Sequence, residues 1–189
     1  MSTTLAPPPA GPSVDASAPR TASAAPSLPI VLSALGGLGL LGTAAGLGTG
    51  LLSTALRTAP SAVLIAGGAV LLTSPGLLVV HQLLSLKAPP EQLVTEVARG
   101  AVRLGQLAAG LTPFVLFFAI TSGLSPVMYA VAFTLACLLA ALTTVQGLVR
   151  IEREHAGSIA QASPMLALAA GWVGLTSLVA LRLAFAVFS

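Results

Sequence analysis

From residue 104 to residue 149 the chain carries no charged side chain. As helix, at 1.5 Å per residue, that stretch reaches about 70 Å, two crossings of a hydrocarbon core about 30 Å thick. The two crossings are expected to meet at Ser122-Gly123-Leu124-Ser125-Pro126, where a turn signal precedes a proline placed for a first helical position. Arg103 and Arg150 then close a membrane hairpin with both charged ends on one side.

The rest of the chain repeats the theme. Of its 189 residues 56% are hydrophobic and 7% charged, far from the roughly one-quarter charged residues of a soluble domain. Apolar runs near 29–50, 60–84, 104–122, 126–149 and 164–188 predict an all-α integral membrane bundle of about five transmembrane helices. Residues 1–28 are Pro, Ala, Ser and Thr with only Asp15 and Arg20 charged. Such a composition cannot offset its conformational entropy by burial and predicts a disordered tail. A secretory signal is disfavoured, because the leading region is long and poor in charge.

The helix ends are marked by local chemistry. Gly42, Gly46 and Gly50 recur every four residues and form a small-residue face for close helix packing, either within the bundle or between copies. Pro75 and Pro113 fall inside the second and third spans and predict kinks, since each removes a backbone donor. Pro89-Pro90-Glu91 predicts a helix start. Residues 90–103 then read as an amphipathic juxtamembrane helix that continues into the third span, with Glu96 and Arg99 three residues apart. Ser163 and Pro164 suggest the N-cap and first position of the fifth span, and Arg182, Phe185 and Phe188 an interface at its far end.

Orientation follows from charge. With five spans, Arg20, Lys87, Arg99, Arg103, Arg150 and Arg153 share one side, against Arg57 and Arg182 on the other. The positive-inside rule puts the N-terminus in the cytoplasm and the C-terminus outside. The Ala, Gly and Arg usage suggests a bacterial inner membrane. Orienting the chain also accounts for the net charge of +3, and no basic run interleaved with aromatics supports nucleic-acid binding.

Chemistry-bearing patterns are sparse. Glu152-x-x-His155 has the spacing of a carboxylate-bridged metal site, with His81, Glu91 and Glu96 on the same side. In an Arg/Glu-rich segment the ordinary reading is solvated charge. His81 reads as an interfacial histidine and Cys137 as an apolar filler, with no basic neighbour to activate its thiol. G-x-S-x-G, H-E-x-x-H and a phosphate loop are missing from the chain. The expectation is therefore a protein without enzyme activity, cofactor or metal. Its partners would be the lipid bilayer and another membrane or cytoplasmic protein, or a second copy of itself. Contacts are expected at Glu96, Arg99, Arg103, Arg150 and Arg153.

Arg57-Thr58-Ala59-Pro60, Thr73-Ser74-Pro75-Gly76-Leu77 and Gly110-Leu111-Thr112-Pro113-Phe114 together resemble a group of uncharacterised small bacterial integral membrane proteins. The layout of tail plus five spans is similar to that of the Yip family of membrane-trafficking proteins. The resemblance covers about residues 51–150, and Leu77 and Leu78 stand where an aromatic is usual. It implies a scaffold or partner-recruiting role. The sequence reading is thus a non-catalytic scaffold, adaptor or assembly subunit, with a small channel or transporter lined by Pro-kinked helices as the alternative.

Overall fold

A computed structural model of the chain describes residues 25–47, 52–122, 125–157 and 159–188. The expected tail and Gly50 lie, wholly or largely, outside the described residues. Five α-helices follow in order: α1 Leu28–Leu47, α2 Leu52–Leu83, α3 Pro90–Thr121, α4 Ser125–Ala156 and α5 Ile159–Phe188. All five are long and apolar enough to cross a membrane. At 32 residues each, α2, α3 and α4 reach about 48 Å, well beyond the hydrocarbon thickness. Their ends therefore project past the lipid tails or the helices tilt.

Helix contacts close into a ring, in the order α1, α2, α5, α4, α3 and back to α1. One apolar core lies among α1, α3 and α4, built on Leu38, Leu41, Leu104, Ala108, Val115 and Ala136. A second, built on Leu77, Leu93, Leu148, Met165 and Trp172, lies toward the end where α2 stops and α3 begins. That end also holds the last turn of α4 and is called here the charged end. The outer faces carry exposed Leu64, Leu71, Phe117, Ile120, Leu138 and Leu178, as expected of a surface solvated by lipid.

Glycine sets how closely α1 lies on its neighbours. A Cβ on Gly42 would run into the Thr58 carbonyl, and one on Gly46 into the Ala55 backbone. A Cβ on Gly37 would meet the Gly105 carbonyl, and one on Gly105 the Ala34 backbone. Thr58 also donates its hydroxyl to the Gly42 carbonyl at 2.8 Å. Backbone contact of this kind substitutes for the hydrophobic drive that lipid does not supply.

The same contact moves one boundary. The sequence starts the second span at Pro60, whereas α2 starts at Leu52 and carries Arg57 and Pro60 within it. Ala55, Thr58 and Ala59 are needed as helix to meet Gly42 and Gly46, and Ala55 is fully buried. The fifth candidate span starts at Ser163, but the helix that carries it starts earlier. Gly157, at φ 77, turns the chain and its N–H closes α4 on the Arg153 carbonyl. The backbone is helical again from Ile159, so Ser163 and Pro164 sit inside α5 rather than capping it. Helical backbone continues through Pro75 and Pro113.

Arg182 lies one residue before the end of the fifth candidate span, Ser163–Leu183. Thr73 and Thr176 share a hydroxyl hydrogen bond at 2.8 Å, and Leu183 reaches Gly68 at the middle of α2. Arg182 is therefore level with the middle of α2. The side chains of Phe185 and Phe188 lie outside the described residues.

The glycine contacts predict a sharp contrast between substitutions. Gly105→Ala or Gly46→Ala forces backbone apart and should cost about 1–3 kcal/mol. Gly36→Ala and Gly39→Ala meet nothing within 4 Å and should be neutral or slightly stabilising. Thermal unfolding of the four purified variants in detergent checks this ordering.

Candidate functional site at the charged end

Two carboxylates are buried at the charged end, each 1% exposed: Glu152 on α4 and Glu96 on α3. A buried charge persists only where donors meet its lone pairs. Each of the two meets them in a different way.

Glu152 ties the α2–α3 connection to α4. Its Oε1 accepts the Lys87 backbone N–H at 2.7 Å, and its Oε2 accepts the Ala88 N–H at 3.0 Å. His81 Nε2 stands 3.3 Å from Oε2 and donates when it carries the proton. His81, in the last turn of α2 beside the connection, is 2% exposed and so buried among protein side chains. The connection itself is a tight Schellman-type closure. Leu86 N–H donates to the His81 carbonyl and Ser85 N–H to that of Gln82, with Ser85 at φ 51 in the left-handed position usually given to glycine. Pro89 then precedes α3 with extended backbone and supplies no side-chain cap. Neither Pro89 nor Pro90 has an N–H, so the free donors of this connection fall one step earlier, at Lys87 and Ala88. Glu152 provides from another helix the acceptor for these two donors, which precede the start of α3.

Glu96 holds the outer seam between α3 and α4. Arg99 Nη1 donates to its Oε2 at 3.1 Å and Arg103 Nη1 to its Oε1 at 3.0 Å. The carboxyl lies against Gly147, where any Cβ would collide with Oε1. One turn along, Gly100 makes the same kind of room for Thr144. Glu96 thus stays out of a partner's reach and works through the two arginines it orients. Arg150 pairs loosely with Glu154 at 3.9 Å, both exposed, and Arg153 is exposed in the last turn of α4.

The Glu152-x-x-His155 pair divides. Glu152 points into the bundle, while His155 Nδ1 lies 2.8 Å from the carbonyl of Ile151 in its own helix. Among the described residues no three His, Cys, Asp or Glu side chains are grouped as metal ligands. Gly42 and Gly46 lie on the α1–α2 contact. Near Pro75, Ser74 Oγ bonds the Val70 carbonyl at 2.6 Å. Near Pro113, Thr112 Oγ1 bonds that of Ala108 at 2.9 Å.

Between α2, α3, α4 and α5 lies a half-open pocket of about 110 Å³ bordered by Val70, Leu104, Cys137, Thr144, Trp172 and Thr176. Among the described residues, Trp172 Nε1 is the buried side-chain polar atom with no hydrogen-bond partner. Compared with known protein families, curated proteins and solved structures, the chain matches none.

Removing the Glu152 carboxylate tests the lock. Glu152→Ala strands two backbone donors and His81 and should destabilise by about 3 kcal/mol or more. Glu152→Gln retains one acceptor oxygen and should fall between Ala and wild type. Limited proteolysis within 84–89, followed with increasing denaturant, should show the same order.

Proposed function

We propose that the protein is a non-catalytic membrane scaffold, an adaptor or assembly subunit of a membrane complex, in a bacterial inner membrane with its N-terminus in the cytoplasm. The observation that carries this reading is the use made of the two buried carboxylates. Glu152 and Glu96 serve to fix the α2–α3 connection and the α3–α4 seam. The result is a rigid charged end with Arg99, Arg103, Arg150 and Arg153 displayed on it. Rigid presentation lowers the ordering cost of binding, which is what an assembly surface requires. Broad exposed leucine faces on α2, α4 and α5 offer lipid-embedded contact area for a second membrane helix.

Substitution is the right test, because deleting residues 150–155 would also remove Glu152. Arg150→Glu with Arg153→Glu should leave the protein level unchanged and reduce recovery of an in-cell crosslinked partner by about tenfold, the scale of 1.4 kcal/mol. Recovery at the wild-type level would reject these residues as the contact.

A small channel or transporter is the second reading, favoured by the pocket among α2, α3, α4 and α5. Flux through liposomes containing the wild type, Pro75→Ala and Pro113→Ala separates the two. The scaffold predicts none from any form, whereas solute flux that the substitutions alter would establish transport.

A further inference from the structure

We propose that the outer seam between α3 and α4 binds the phosphate of an anionic phospholipid. The site is a groove of about 450 Å³ lined by Glu96, Arg103, Thr143, Gln146, Gly147 and Arg150, within the size of small-molecule sites. It does not rest on the scaffold reading.

Depth comes first. Arg103 is the last charged residue before the charge-free run and Arg150 the first after it. Gly100 lies on Thr144 and Gly147 on Glu96, so the Arg103 backbone stands about two and a half turns deeper than that of Arg150; its guanidinium reaches back to Glu96, where apolar helix gives way to charge. That is the level of lipid headgroups. The groove between the two arginines is therefore at phosphate depth.

Charge and geometry agree. Glu96 is sealed beneath the groove, and its two oxygens each take one arginine Nη1. This fixes Arg103 in place while its side chain stays 38% exposed. A guanidinium has five N–H donors, so Arg103 keeps donors for an oxyanion after meeting Glu96. Across the groove Arg150 is 68% exposed and its bond to Glu154 is long, at 3.9 Å. Among the residues that line the groove, two arginines (103 and 150) face one carboxylate, Glu96. The excess is positive, as basic pockets for anionic headgroups require. Thr143 gives its hydroxyl proton to the Ala140 carbonyl, and the Gln146 amide adds neutral donors beside the two cations.

The apolar surface selects a lipid over a soluble phosphate. Leu142, Leu139 and Leu135 are exposed on α4 and follow Gln146 at steps of four, three and four residues, which is one helix face. A headgroup seated between Arg103 and Arg150 can lay an acyl chain along that stripe.

The experiment uses the full-length protein in neutral detergent, followed by native mass spectrometry and thermal unfolding. Phosphatidylglycerol, phosphatidylcholine and inorganic phosphate are added separately. Retained phosphatidylglycerol and a raised unfolding midpoint, with neither effect from the other two, are the expected results. Arg150→Gln touches no buried group and should weaken the lipid effect about threefold to tenfold. Adding Arg103→Gln should abolish it, while Arg182→Gln, a control cation elsewhere, should leave it intact. Equal retention of both lipids overturns the proposal, and so does an equal response to inorganic phosphate. Wild-type binding by Arg150→Gln, or the same loss from Arg182→Gln, also overturns it.

Discussion

The Glu152 carboxylate is the point on which the charged end of this bundle depends. Taking a carboxylate out of water costs several kcal/mol unless its oxygens are met by donors. Here the donors are two consecutive backbone N–H groups and one imidazole. The two N–H groups come from a connection that has two prolines and a left-handed serine and no cap of its own. Neither side of the contact is comfortable alone: the anion lacks water and the connection lacks an acceptor. Together they fix where α2 ends, where α3 begins and how the end of α4 sits beside their connection. Once α3 and α4 are held there, Glu96 can pack on Gly147 and aim Arg99 and Arg103 outward.

The opposite requirement governs the lipid-embedded part. There, few polar groups are present to specify a partner, and backbone proximity does so instead. Gly37 on Gly105, and Gly42 and Gly46 on the first turns of α2, bring α1 close on two sides. Thr58 adds one directed bond to the Gly42 carbonyl. The shortest helix, at 20 residues, is thereby the one that joins α2 to α3 and closes the ring.

What could be read in advance divides along the same line. The spans are set by long charge-free runs, and the start of α3 by two prolines and a glutamate, so both were legible. The start of α2 was not. Pro60 is a strong local signal, but the contact of Ala55 and Thr58 with α1 outweighs it, and that contact exists only in the packed bundle. The same holds for Ser163, a good cap by type that the turn at Gly157 bypasses. His81 and Glu152 are 71 residues apart, and their pairing requires knowing that α2 and α4 end at one level. In the run Arg150-Ile151-Glu152-Arg153-Glu154-His155, composition says solvated charge. Only helical phase shows that Ile151 and Glu152 turn inward while Arg150, Arg153 and Glu154 turn out.

Hydrogen exchange at the Lys87 and Ala88 amides tests the central claim most directly. Both lie in a connection between helices, where amides ordinarily exchange fast. With Glu152 bound to them in the folded protein, they should exchange as slowly as amides in the body of α3. Exchange at the rate of an open loop would contradict the account, since the carboxylate would then be held by something other than this connection.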